Sequence, residues 1–278
     1  MGSRAIYLIT DFGESPYAGI LRSVAKSIAD VDVIDIDHSV PSFKVLAGAY
    51  VLANTYYWAR KGSIIVVVVD PGVGTHREAL LVEAGDYVLV GPNNGVLYPV
   101  IMKEGFKRGF SLIPERVVEA ASQYFKGKLP GGRWTLSLTF HGRDVFVPAA
   151  ALYASGVQPE HLGTPIDQSS LKRLLLEYVE EVEEGYRVKT VYIDKFGNIA
   201  LSVKPSLLPV TSWSRVMVRT DTGTYSVKVG RKFEDVQVGE LVMYVNSFGY
   251  VEIAVNQGNA AKKLRVSVGD PVVITPLE

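Results

Sequence analysis

The apolar positions of this chain follow two regimes, one after the other. In the first, apolar runs of strand length alternate with stretches of helical period. Residues 5–9 form a short apolar run ending in Thr10-Asp11-Phe12-Gly13. Pro16 opens a helix that carries Ile20, Leu21, Val24 and Ile28 on one face. Residues 31–36 predict a second strand, which runs into Asp37 and His38, and residues 43–57 a second helix with Leu46, Tyr50, Ala53 and Tyr57 at helical spacing. Residues 64–69 are six β-branched aliphatics with no polar break. One wet face would impose alternation, so this run predicts a strand buried on both faces at the centre of an α/β sheet. Strand alternating with helix predicts parallel strands joined by right-handed crossovers.

After Arg77 the pattern changes. Residues 80–82 and 87–90 read as strands joined at Gly85-Asp86, residues 114–125 as a helix, and residues 126–133 as a loop. Residues 145–155 form an alanine-rich helix, with Asp144 placed to be its N-cap or first-turn acid. From 156 to 170 the chain is polar and punctuated by Pro and Gly, and beyond it short alternating segments take over, at 187–193, 215–219, 225–229, 241–245, 251–255 and 272–274. The run Glu180-Glu181-Val182-Glu183-Glu184 reads as a solvated face. The expected fold is an α/β N-terminal domain over residues 1–165, with a mostly parallel central sheet flanked by helices. A linker at 166–184 leads to a smaller all-β, mainly antiparallel, barrel-like domain at 185–278.

Composition narrows the functional classes. The 278 residues are 47% hydrophobic and 21% charged, enough for a sizeable core. Lys and Arg number 29, as do Asp and Glu, so no global charge draws the chain to nucleic acid or to an anionic membrane. The absence of cysteine excludes disulfides, thiolate metal sites and a cysteine nucleophile. No leader-like or membrane-spanning apolar run is present, and the expectation is a cytoplasmic protein.

Candidate chemistry gathers at the strand ends, where open α/β sheets bind ligands. The buried run ends in Asp70-Pro71-Gly72-Val73-Gly74-Thr75-His76-Arg77. Gly72 and Gly74 look like the start of a dinucleotide fingerprint, but the third glycine is missing and a strand follows, which rules against a Rossmann cofactor site. The four histidines, His38, His76, His141 and His161, show no metal-ligand spacing.

Taken together, Thr10-Asp11-Phe12-Gly13, the Asp70–Arg77 stretch, Gly91-Pro92-Asn93-Asn94-Gly95 and Phe140-His141-Gly142-Arg143-Asp144 resemble the S-adenosyl-L-methionine hydrolase family, the hydroxide adenosyltransferases. These are relatives of the S-adenosylmethionine-dependent fluorinase and chlorinase. Asp194-Lys195-Phe196-Gly197-Asn198, Asn246-Ser247-Phe248-Gly249 and Asn256-Gln257-Gly258-Asn259 extend the resemblance to nearly the whole chain.

The resemblance implies attack of water at C5′ of the ribose, giving adenosine and L-methionine, with Asp70, Arg77 and His141 as the catalytic residues. It implies that Asp11 binds the ribose hydroxyls, Asp194 the methionine ammonium, Asn198 the adenine edge and Ser247 the methionine carboxylate. It adds Phe12, Asn93, Phe140, Asn246, Val255 and Gln257 to the substrate-binding set. It further implies a homotrimer with the ligand between subunits, and S-adenosylmethionine as substrate with no metal or other cofactor. Gly142 stands where the halogenases place a halide-binding serine, and Phe248 where they carry an arginine. Three rival readings are a halogenase of the same fold, a non-catalytic S-adenosylmethionine or adenosine sensor, and a metal-dependent hydrolase using Asp11, Asp37 and Asp70.

Overall fold

The buried run of residues 64–69 becomes the middle of a sheet in the computed structural model, which describes residues 5–277. The chain divides into two compact units between Leu174 and Leu175. The first contains β1 (Ala5–Thr10), α1 (Pro16–Ile28), β2 (Asp32–Asp37), α2 (Val45–Thr55), β3 (Ile64–Val68), β4 (Ala79–Ala84), β5 (Tyr87–Pro92), α3 (Tyr98–Glu104), β6 (Phe106–Leu112), α4 (Pro114–Tyr124), α5 (Val147–Ala154) and β7 (Gly163–Ile166).

Among the described residues its strands form a seven-stranded sheet in the order β2-β1-β3-β5-β4-β6-β7. β2, β1, β3 and β5 run parallel, whereas β4 is antiparallel to both β5 and β6, and β7 is antiparallel to β6. The sheet is thus mixed, not mostly parallel as expected. The cause is the turn at Gly85-Asp86. A connection that short joins only antiparallel strands, and it turns β4 against the direction of the parallel half. β6 then pairs with the free edge of β4.

All of residues 64–69 are buried, at 4% exposure or less. β3 lies between β1 and β5. Ile64, Val66 and Val68 pack with Leu21, Val145 and Ala149 in one apolar cluster, each burial contributing roughly 1.5–3 kcal/mol. One local expectation is corrected and another narrowed. The helix expected at 43–57 spans Val45–Thr55 and continues as a 3-10 turn, Tyr56–Trp58; Phe43 lies outside it, in the left-handed region at φ 65°. Of the two places expected for Asp144, the structure shows the second: it is the first-turn acid of a π-helical segment, Gly142–Phe146, that leads into α5, and not its N-cap. Its fully buried carboxylate pairs with Arg143 at 2.6 Å and accepts hydrogen bonds from Trp134 Nε1 (2.9 Å) and Ser137 N (2.8 Å). It therefore anchors the preceding segment, which has little regular structure of its own.

The second unit contains β8 (Glu180–Val182), β9 (Gly185–Ile193), β10 (Ile199–Leu201), β11 (Arg215–Thr220), β12 (Gly223–Val229), β13 (Leu241–Val245), β14 (Val251–Val255), a short helix α6 (Ala260–Leu264) and β15 (Pro271–Leu277). The strand order is β10-β14-β13-β12-β11-β15-β9-β8, and β9 also pairs with β10. That extra pairing closes seven strands into a barrel, with β8 as a ribbon outside β9. Among the described residues of this unit, only β12 and β13 pair in parallel. Alternate residues such as Val188, Val216, Val218, Met243 and Ile253 fill the interior. The acidic run at 180–184 contributes β8, in which Glu180 accepts from Arg187 at 2.9 Å.

Candidate active site

β1 and β3 are parallel neighbours, with Thr10 opposite Val68, so their carboxyl ends deliver Asp11 and Asp70 side by side. Asn94 Nδ2 donates to Val69 O at 2.9 Å and fixes the exit of the central strand. From there residues 70–77 fold back in a tight loop, held by Thr75 donating to Gly72 O through its amide (3.2 Å) and its hydroxyl (2.7 Å). Gly74 has φ 74°, and a Cβ there would lie 2.3 Å from Leu138 O. Only glycine permits so close a docking of this loop on the segment before His141.

The loop returns Arg77 to Asp70. Arg77 Nε donates to Asp70 Oδ1 (2.8 Å) and Oδ2 (2.9 Å), and Nη2 donates to Oδ2. Nη2 also reaches His141 Nδ1 at 3.0 Å, and the guanidinium lies 5.0 Å over the Phe146 ring. The pair is nearly dry, with side-chain exposures of 5% for Asp70 and 11% for Arg77. A guanidinium only donates, so Nδ1 of His141 must be the acceptor and its ring proton must sit on Nε2. Burial, and then the charge of Arg77, push the His141 pKa below the ordinary histidine value, which keeps the ring neutral. Nε2 is itself buried and has no hydrogen-bond partner. A buried N–H left unpaired costs free energy unless something arrives to accept it.

His141 lines a cleft of about 280 Å³ together with Asp11, Phe12, Phe43, Asp70 and Phe140. Phe12, Tyr17 and Phe140 make an edge-to-face wall, with ring centroids 5.1–5.9 Å apart. Asp11 Oδ2 accepts from Phe43 N at 2.8 Å. Burial raises the Asp11 pKa, aided by the charge of Asp70 and opposed by backbone donors that include Phe43 N. The Phe43 ring is 71% exposed.

Of the residues predicted from sequence, Asp11, Phe12, Asp70, Arg77, Phe140 and His141 thus come together. Asn93 does not. It donates to Glu78 Oε2 (2.8 Å) and Ser170 O (3.1 Å) and accepts from Lys172 N (2.8 Å), tying its loop to the end of the unit.

Of the C-terminal candidates, Asp194, Asn198, Asn246 and Ser247 lie on two turns of the barrel, while Val255 ends β14 and Gln257 follows it. Asp194 accepts from the amides of Phe196 and Asn198 and from Asn198 Nδ2, each at 2.9 Å. Asn246 accepts from Phe248 N (3.0 Å) and Tyr250 N (3.1 Å) and donates to Glu252 Oε2 (2.8 Å). Tyr244 donates to the same Glu252, whose pKa burial raises, with Asp194 repelling its charge further. Ser247 is exposed, Val255 points into the barrel core, and Gln257 is exposed with φ 53°.

Sequence reasoning missed Tyr17, Phe43 and Glu252. Phe43 was absorbed into the helix after it, although Pro41 two residues before it marks a turn. Tyr17 and Glu252 sit within regular elements and leave no local signal. A larger hollow of about 360 Å³ in the barrel unit, walled by Arg215, Lys228, Glu240 and Lys263, holds none of the predicted residues. Among the described residues, no three His, Asp or Glu side chains converge to hold a metal ion, and no helix is long and apolar enough to cross a membrane.

Comparison with known proteins gives a consistent picture. Residues 6–163 match the SAM hydroxide adenosyltransferase N-terminal domain and residues 188–273 the C-terminal domain of the same name. The chain is 35% identical to a Thermus thermophilus protein named (R)-S-adenosyl-L-methionine hydrolase, over 97% of this chain and 98% of that one. It is 23% identical to a fluorinase of Actinopolyspora mzabensis, over 96% and 93% of the two chains. A crystal structure of an uncharacterized conserved protein from Thermotoga maritima superposes with a TM-score of 0.78 at 32% identity, over 97% of this chain and 99% of the other.

Proposed function

As the chain belongs to the SAM hydroxide adenosyltransferase family, we propose that it hydrolyses S-adenosyl-L-methionine to adenosine and L-methionine by attack of water at the ribose C5′. The observation that carries this reading is the Asp70–Arg77–His141 chain, which ends in the buried, unpartnered Nε2–H of a residue that lines the cleft.

The reaction is a displacement at carbon. The leaving group departs from a sulfonium as a neutral thioether, so it needs no acid. The demand is on the nucleophile, which must be held in line with the C5′–S bond. Water offers two protons and two lone pairs. Asp70, as a carboxylate, accepts one proton in a hydrogen bond, and His141 Nε2–H donates to one lone pair. The second lone pair is left to attack C5′, and as the C–O bond forms and the C–S bond breaks, the water proton passes towards Asp70. Arg77 only donates hydrogen bonds. It holds the Asp70 carboxylate in place from behind and fixes the histidine tautomer that makes His141 a donor.

The substrate rests on side chains whose geometry suits it. Asp11 offers a carboxylate to the ribose diol, and Phe12 and Phe140 form an apolar wall. Asp194, Asn198, Asn246, Ser247, Val255 and Gln257 of the barrel are proposed for the adenine and amino-acid ends, in a cytoplasmic homotrimer whose mass sedimentation velocity would measure. The reaction as written calls for no metal or other cofactor, and a chelator would leave its rate unchanged.

Gly142 supports water over halide. A Cβ there would stand 3.4–3.5 Å from Phe12, Leu21 and Phe140, and glycine itself offers no side chain to a halide ion. The test is incubation with S-adenosylmethionine, with and without chloride or fluoride, followed by mass spectrometry. Adenosine and methionine in equal amounts are expected. A 5′-halo product in preference to adenosine would establish the halogenase instead, and tight binding without turnover would establish a sensor.

A further inference from the structure

His38 has no task in the reaction as written, yet it is tied to the turn that presents Asp11. The pairing of β1 with β2 shifts register between Leu8 and Ile9, with the extra residue, Ile36, in β2 just before His38, while β1 stays in register with β3 through Thr10. His38 grips the turn at residues 10–13 twice. Its carbonyl accepts from Gly13 N at 2.6 Å, and its Nδ1 lies 2.8 Å from Thr10 Oγ1. The same Oγ1 accepts from Phe12 N at 3.2 Å, and Thr10 is fully buried. With one lone pair taken by the Phe12 amide, the Thr10 hydroxyl has its proton to give to Nδ1. The His38 ring proton then sits on Nε2, 3.0 Å from Asp35 Oδ1 though off axis for a hydrogen bond, and Asp35 is paired in turn with Arg22. Asp11 is the residue between the two that this link fixes.

We propose that His38, acting through the Thr10 hydroxyl, is the positioning residue of the ribose subsite. It holds the backbone on both sides of Asp11 so that the carboxylate meets the ribose diol without reorganising. The proposal rests on the adenosyl reading of the cleft. A carboxylate that must be re-aimed on binding costs affinity for the diol, while a rigid one does not. The consequence is specific: loosening the turn weakens ligands that carry the 2′- and 3′-hydroxyls and spares those that lack them.

The experiment measures binding of adenosine and of 2′,3′-dideoxyadenosine by calorimetry, alongside kcat and KM for S-adenosylmethionine. Thr10→Val removes the hydroxyl at constant volume, and His38→Leu removes the acceptor. Each is expected to weaken adenosine about threefold to tenfold, as loss of one buried hydrogen bond does, with a matching rise in KM and little change in kcat. Dideoxyadenosine binding stays within about twofold of wild type. Thr10→Ser and His38→Asn, which restore a hydroxyl and an acceptor near the Nδ1 position, recover adenosine affinity. His38 is partly exposed, at 15% of its side chain, so the His38 pair reports on the link even where Thr10→Val fails to fold. Unchanged adenosine affinity in both lesions overturns the positioning role, and so does an equal loss for the two nucleosides. Failure of the wild type to bind adenosine overturns instead the adenosyl reading on which the role rests.

Discussion

The cleft of the N-terminal unit and the two candidate turns of the barrel are built from the same kinds of side chain, but they spend their hydrogen bonds differently. On the barrel, Asp194 and Asn198 satisfy each other, and Asn246 is held by Glu252 and by the amides of its own turn. Such turns are rigid and self-contained, and they present a shape. In the cleft, Arg77 donates on one side to Asp70 and on the other to His141, whose Nε2–H has nothing to donate to. A buried N–H with no partner is a costly thing to leave, and a ligand that accepts from it relieves that cost. On the proposed function, the difference is that between a region that acts on a molecule and one that recognises it.

The sharpest way to break this contrast is to remove the charge at Asp70. Asp70→Asn keeps the shape and loses the proton acceptor, and kcat is expected to fall by about 10²–10⁴-fold in a discontinuous assay of adenosine release. An equal fall in kcat for a lesion on the barrel turns would erase the distinction. Next in size is His141→Phe, which keeps a ring and deletes the donor. About a hundredfold loss in kcat is expected, comparable to losing one preorganised donor elsewhere.

The pH dependence has a defined sign. The folded-state pKa of His141 lies below its unfolded value. The stability this group contributes is therefore intact above the ordinary histidine value of about 6.5, and is lost as pH falls from there through the folded value. Activity follows the same limb, since protonation at Nδ1 turns the Arg77 contact into a repulsion. A plot of log(kcat/KM) against pH should bend below pH 6.5, and the bend should vanish in His141→Phe. The smallest effect belongs to the barrel. Asp194→Asn weakens the bonds that set its turn, and KM is expected to rise about tenfold while kcat moves less than about threefold.

Much of the catalytic half of this contrast could be read in the sequence, and the reason is local. The six-residue apolar run reads as a buried strand, and the eight residues from Asp70 to Arg77 make a loop short enough to bring its two ends together. His141, 64 residues beyond Arg77, entered only through the resemblance, because nothing local indicates that Leu138 docks on Gly74. The second half of the sheet was less legible. β6 reads Phe-Lys-Arg-Gly-Phe-Ser-Leu, with a buried pattern too sparse to stand out, so the antiparallel strands beyond the hairpin went unseen and the sheet was expected to be mostly parallel. Spacing left Asp144 as either a helix cap or a first-turn acid, because sequence does not show the Trp134 indole that claims its carboxylate. The closing pair β9–β10 spans a single short turn, yet a three-residue strand such as β10 is below what alternation can detect.

The docking of Gly74 on Leu138 also sets how the protein fails when heated. The segment that carries Leu138 and leads to His141 has little ladder structure, and it is pinned chiefly by the buried Asp144 through Trp134 and Ser137. Segments with few backbone bonds of their own open at free energies below that of the whole fold. Opening this one lifts His141 away from Arg77 while β1, β3 and β5 stay paired. Activity should therefore disappear several degrees before the calorimetric melt of the sheet and return on cooling, so that the upper working temperature of the protein is set by one unstructured strap and not by its core.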